Sequence, residues 1–225
     1  MKNAWIHGFL RAGLLNSVVK GKPYFVENSG LSPILTVEET VRIACRLIKT
    51  RFLLVNILDN GKIKYRGRNI IPPFDTPEKL NVLRDKATLM VNYVHAEIPA
   101  LGDLCFLLGQ ELDKIVTANG YLGSNGSTAL GLHPDDHDVI LWQQHGKKLW
   151  EVRNPDDTQT VLKITMLPGS LFYIPERFPH VGETPPGEES LHLTFAAISR
   201  ADAIRQLSAL MKKVMAKKKP SQNGV

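Results

Sequence analysis

Apolar positions along the chain follow two different periods, and the change comes near Val116. Before it, "TVEETVRIACRLIKT" spaces Val41, Ile43, Ala44, Leu47 and Ile48 along one helical face. Thr36 stands just ahead of Glu38 and Glu39 as a helix-opening signal. The continuation "FLLVNIL" passes toward a strand, "DNGKIKY" marks a turn and "IPPFD" a break. A short helix is predicted over 76–87, a strand in "TLMVNYV", and a helix opening at Pro99 in "PALGDLCFLLGQEL". After Val116 the texture becomes a series of short strand-like runs: "IVTANGYL", "STALGL", "DVILWQQ", "KLWEV", "TVLKITM", "SLFYIP", "HVGET" and "LHLTFAAI". Turns rich in Gly, Asn, Pro and Asp separate them at intervals of roughly 8–12 residues, the spacing of a β-sandwich or barrel. Helical character returns in "ADAIRQLSALMKKVMAKKK".

Composition narrows this picture only slightly. With 225 residues, 43% of them hydrophobic and 22% charged, one domain with a helical appendage is the simplest organisation. Cys45 and Cys105 stand far apart with no CxxC, so no disulfide framework is expected and a cytoplasmic setting is. The opening segment is interrupted by His7, Arg11 and Asn16, and no apolar run reaches 18 residues; neither a secretory signal nor a membrane span is expected. The net charge of +6 owes much to Lys212, Lys213, Lys217, Lys218 and Lys219. That basic tail reads as the solubilising end of a helix, or alternatively as a weak contact for an acidic partner or RNA.

The chemistry concentrates in "HPDDHD", residues 133–138. His133 and Asp135 are two apart, so in an extended segment they share a face, whereas Asp136 has the wrong parity. A third donor must come from another strand, and His180, after "GSLFYIPERFP", is the best placed. Two imidazoles and one carboxylate cap one face of an octahedral ion and leave positions open, which suits Fe(II); zinc can use the same donors. Among the other histidines, His145 reads as a surface-turn residue, His137 as a surface or substrate-side residue, and His192 as a pocket or core residue facing with Thr194. Of Lys147 and Lys148, an alternating strand presents one inward, and parity alone leaves the choice open.

Several blocks in order resemble a known family. "TANGYLGSNGSTALGLHPDDHDVILWQQHGKKLWEV", then "LPGSLFYIPERFPHVGETPPGEESLHLTF", is similar to the cupin-type JmjC oxygenases, nearest to their ribosomal-oxygenase-like branch. The resemblance covers about residues 87–198 and implies a mainly β fold, a double-stranded β-helix (cupin or jelly roll). It divides the chain into a helical or mixed region 1–86 packing on the core, a catalytic core 87–198, and a short C-terminal helix with basic tail, 199–225. It implies Fe(II) as cofactor and 2-oxoglutarate as cosubstrate, with hydroxylation of an unactivated C–H. By position, His133, Asp135 and His180 would hold the metal and Lys148 the far carboxylate of 2-oxoglutarate. Asn119 and Tyr121 match positions beside the cosubstrate, and Ser190 and His192 match an element that packs against the pocket. Trp142, Trp150, Phe172 and Tyr173 are expected as walls or core.

Departures accompany the resemblance. Pro134 replaces a common aromatic residue and "NGY" replaces "NAY", but no donor is lost, and the retained Asp135 favours hydroxylation over halogenation. Typical members continue with a dimerisation region and a winged-helix-like domain beyond the point where this sequence stops. A free or carrier-bound amino acid, or a peptide, therefore stands beside a ribosomal protein as the expected substrate, and a homodimer stays open. Rival readings are a zinc or manganese cupin acting as hydrolase or isomerase, and a non-catalytic barrel binding peptide or RNA. Lys148 separates the oxygenase from the first, the donor triad from the second.

Overall fold

The computed structural model describes residues 2–50, 54–66 and 76–217. The "IPPFD" break and the tail lysines Lys218 and Lys219 lie outside the described residues. The N-terminal region is mixed: helices α1 (Lys2–Arg11) and α2 (Leu14–Lys20), a short strand β1 (Tyr24–Val26), helix α3 (Val37–Thr50), and the hairpin β2 (Val55–Asp59) and β3 (Lys62–Arg66). Thr36 opens α3 as its spacing predicts, its Oγ1 accepting the Glu39 N–H at 3.1 Å. Helix α4 (Pro77–Leu83) and strand β4 (Thr88–Val91) follow, then α5 (Pro99–Leu112), which begins at its proline.

The remaining strands are β5 (Lys114–Ser124), β6 (Asp138–Gly146), β7 (Lys148–Arg153), β8 (Thr160–Met166), β9 (Leu171–Ile174), β10 (His180–Glu183) and β11 (Glu189–Ser199), closed by α6 (Arg200–Lys217). They form two antiparallel sheets. The larger has the order β1-β9-β6-β11-β5-β4-β2-β3, the smaller β10-β7-β8. This is the mainly β cupin architecture, with helices covering one face. The N-terminal region does more than pack on it, because β1 to β3 extend the large sheet at both edges. One expected strand is missing: "STALGL" contributes only an isolated bridge between Thr128 and Glu183.

Side-chain parity explains the layers. In β6, Ile140 and Trp142 face the helical side, packing with Phe9, Leu193 and Phe195, while Val139 and Leu141 join Val152, Met166 and Phe172 between the sheets. Both faces of β6 are covered, so "VILW" reads as an unbroken apolar run. Strands β5 and β11 differ. Ala118, Leu122, Leu191, Leu193 and Phe195 face the helices. Their opposite faces carry Thr117, Asn119 and Tyr121, and His192 and Thr194, all turned into a cavity between the sheets. Polar residues on the inward face of a buried sheet locate the site.

Candidate functional site

His133 and His180 are cross-strand neighbours. Each donates its backbone N–H to the other's carbonyl, at 3.2 and 2.9 Å, and the ring centroids are 4.6 Å apart. Each imidazole is also oriented through Nδ1, which bonds the Gly131 carbonyl at 2.7 Å for His133 and the Phe178 carbonyl at 2.9 Å for His180. That leaves both Nε2 atoms as free acceptors facing Asp135, at 3.9 Å for His133 and 3.5 Å for His180. One donor atom from each residue lies within 4.8 Å of the others. Burial is the main cause holding the His180 imidazole toward its neutral, ligating form, against the Phe178 bond.

The backbone of the aspartate ligand is held as well. The Asp135 carbonyl accepts the Arg177 N–H at 2.8 Å. Three residues on, buried Asp138 accepts the Glu176 N–H and the Tyr173 hydroxyl, both at 3.0 Å, and pairs with Lys114. Asp138 is thus a structural anchor that ties the end of "HPDDHD" to the loop preceding His180. Asp136 points outward and bonds His137.

The triad sits on the wall of a cavity of about 300 Å³. Strand parity settles the open lysine choice. Lys148 and Trp150 face inward, and Lys147 pairs with Glu188 at the surface. Lys148 is 1% exposed and its Nζ donates to the Thr184 hydroxyl at 3.0 Å. Burial lowers its pKa to about 7, opposed by Glu183. Among the described residues no carboxylate lies within ion-pair distance of that ammonium. Beside it His192 stacks on Tyr121, with centroids 5.2 Å apart and planes 2° from parallel. Among the described residues the buried Nδ1 of His192 has no hydrogen-bond partner, and burial, then the charge of Lys148, pushes its pKa well below the usual value. Burial and the Asp135 charge push the Tyr121 phenol up, so it stays protonated as a donor.

The structure therefore brings His133, Asp135, His180, Lys148, Asn119, Tyr121 and His192 to one cavity. Asn119 lines it while its Oδ1 accepts the Tyr93 N–H at 2.9 Å. His137 also lines the wall. Ser190 lies outside the lining; its Oγ accepts from Gln143 Nε2 at 2.8 Å, behind the strand. Trp150 is a wall, while Trp142, Phe172 and Tyr173 are core. His145 falls on β6 rather than in the turn, with an exposed side chain. Sequence reasoning passed over Thr184 and Met90. Parity from His180 through Gly182 would have reached Thr184, and parity within "TLMVNYV" would have placed Met90.

Residues 103–204 match the model of the JmjC domain. That part of the chain is similar to a JmjC domain, and the curated relatives it resembles include ribosomal oxygenases. The chain is 30% identical over 112 residues to ribosomal oxygenase 1 of Homo sapiens, covering 42% of this chain and 18% of that protein. It is 31% identical over 109 residues to the bifunctional lysine-specific demethylase and histidyl-hydroxylase NO66 of Dictyostelium discoideum, covering 40% and 21%. The chain thus spans about a fifth of the length of the curated relatives it matches. The ribosomal oxygenase YcfD of Escherichia coli, solved with cobalt and 2-oxoglutarate, superposes with a TM-score of 0.61 at 19% identity, over 91% of this chain and 56% of that one. That likeness establishes the shared fold.

Proposed function

We propose that this chain is an Fe(II)- and 2-oxoglutarate-dependent dioxygenase that hydroxylates an unactivated C–H bond of an amino-acid residue. The observation that carries the reading is the pairing of two features in one cavity. Three donors converge from opposed segments, and a buried lysine with no carboxylate partner among the described residues lines the same space. Two neutral imidazoles and a carboxylate are the donor set suited to Fe(II) with open coordination positions. Bound there with 2-oxoglutarate and O₂, the iron would supply the oxidising power for hydroxylation, with succinate and CO₂ as by-products.

The chain's own residues bind, orient and shield. Lys148 and the Thr184 hydroxyl offer a charged and a neutral donor to the far carboxylate of the cosubstrate, a strong contact because water is excluded around both. Tyr121 and His192 wall that end, and Asn119 fixes the backbone at Tyr93 beside it. Trp150, between the rings of His180 and His192 at 6.1 and 5.5 Å, fills the space next to the metal ligands and keeps it dry. Apolar Leu130, Val139, Ala196 and Ile198 complete the wall. The names of the relatives, ribosomal oxygenase and histidyl-hydroxylase, support a residue within a protein or peptide as substrate, with a free or carrier-bound amino acid as the alternative. A zinc or manganese hydrolase would use the same triad but has no need of Lys148.

Succinate release, measured with Fe(II), O₂ and 2-oxoglutarate over a panel of peptides and free amino acids, tests the reading. A product about 16 Da heavier, from one oxygen atom gained, accompanied by stoichiometric succinate is expected. Metal-dependent hydrolysis without succinate would overturn it.

A further inference from the structure

Thr128 to His133 is an irregular segment held at both ends. Thr128 pairs with Glu183 and His133 with His180, so both ends are fastened to β10. Ala129 and Leu130, between them, line the cavity. Gly131 has a particular duty there, because its carbonyl bonds His133 Nδ1 and so turns Nε2 toward the other donors. Whatever holds Gly131 in place sets the aim of His133.

That support comes from far away in the sequence, at the turn between β2 and β3. Asp59 and Lys62 are paired, leaving Asn60 and Gly61 as a two-residue loop. Their φ values of 46° and 79° mark the mirror-image turn that Asn-Gly favours. A Cβ on Gly61 would lie 2.9 Å from the Gly131 nitrogen and 3.5 Å from its Cα, so the two backbones are already in contact. Asn60 Oδ1 accepts the Thr128 hydroxyl at 3.2 Å. The turn therefore meets the ligand-bearing segment twice, at its start and beside the carbonyl that orients a ligand. A hairpin turn needs neither contact for its own stability.

We propose that the β2–β3 turn is a positioning element of the metal centre, with Gly61 backing Gly131 and Asn60 holding Thr128 so that His133 keeps its aim. The inference rests on the metal-centre reading given above. It assigns the hairpin a role in the metal site beyond extending the sheet edge.

Co(II) alone, titrated into the metal-stripped full chain, tests this through affinity and the visible ligand-field spectrum, with thermal melts of the metal-free variants alongside. Gly61→Ala is expected to weaken Co(II) binding by about tenfold and to alter the spectrum, as loss of an outer support does. Asn60→Gly keeps the turn and deletes only the bond to Thr128, so a smaller loss in the same direction is expected. It decides the matter if Gly61→Ala does not fold. Lys62→Ala, on the exposed neighbouring position, should match the wild type in both readouts. Wild-type affinity and spectrum in Asn60→Gly and in folded Gly61→Ala would overturn the proposal while leaving the metal centre intact. A wild-type chain that binds no Co(II) would overturn both.

Discussion

Lys148 puts a flexible ammonium at 1% exposure with one hydroxyl partner, an arrangement that is costly until an anion arrives. Its pKa is about 7 in the folded chain against an ordinary 10.5, with burial as the leading cause. Between those values the unfolded chain holds a proton that the folded, ligand-free chain has released. Stability of the metal-free protein should therefore rise with pH across that window, and Lys148→Met should remove the rise. In the proposed role of Lys148, binding of the 2-oxoglutarate dianion requires the charged form. Its apparent Kd, measured by isothermal titration in the presence of Mn(II), should increase above pH 7 by up to about tenfold per pH unit, and this slope should vanish in Lys148→Met. A flat profile in the wild type would show that the ammonium is not the anchor. At this scale the candidate triad was legible in the residues themselves, through an HxD pair and a late histidine, while Lys148 was reached only through the family resemblance. Which lysine faced inward was not legible, since Lys147 and Lys148 differ only in which face of β7 meets the second sheet.

The strands owe their faces to what each side packs against, and the alternation in β5 and β11 carries that record. Apolar positions toward the helices and polar ones toward the cavity are an inversion of the usual exposed sheet, and they mark the site from sequence. The irregular 127–137 segment was less legible. "STALGL" has strand-like composition, yet Thr128 bonds the β2–β3 turn and forms only a single bridge to Glu183, both of them long-range contacts. The turn between β6 and β7 is where one residue governs an element. Gly146 has φ +62°, and a Cβ there would lie 1.7 Å from the Glu189 carbonyl oxygen. Gly146→Ala should cost more than about 2 kcal/mol in urea unfolding, since neither the backbone nor β11 can yield cheaply. An unchanged midpoint would mean that β11 is looser than its pairing indicates.

Across the whole molecule one core joins the N-terminal region to the cupin sheet. Phe9 of α1 is fully buried, with ring centroids 5.8 Å from both Trp142 and Phe195. Phe9→Ala should destabilise the chain by about 3–5 kcal/mol, and fluorescence and circular dichroism should still report a single coincident transition. Two separated transitions would show that residues 1–36 dock on an independently stable barrel. The boundary near residue 86 that the family resemblance implies falls between β3 and β4, inside a continuous sheet. Long-range pairing such as β1 on β9 leaves no local trace in "YFV", so sequence periodicity could not show it. No described helix is long and apolar enough to cross a membrane.

In the proposed site one cavity holds Fe(II) on His133, Asp135 and His180 while Lys148 holds 2-oxoglutarate. This arrangement is tested most directly by anaerobic addition of Fe(II) and 2-oxoglutarate to the metal-stripped chain, followed by visible absorption. A weak metal-to-ligand charge-transfer band is expected in the wild type, abolished by Asp135→Ala and weakened by Lys148→Ala. Absence of the band in a chain that binds zinc or manganese tightly would rule out this assignment of the cavity.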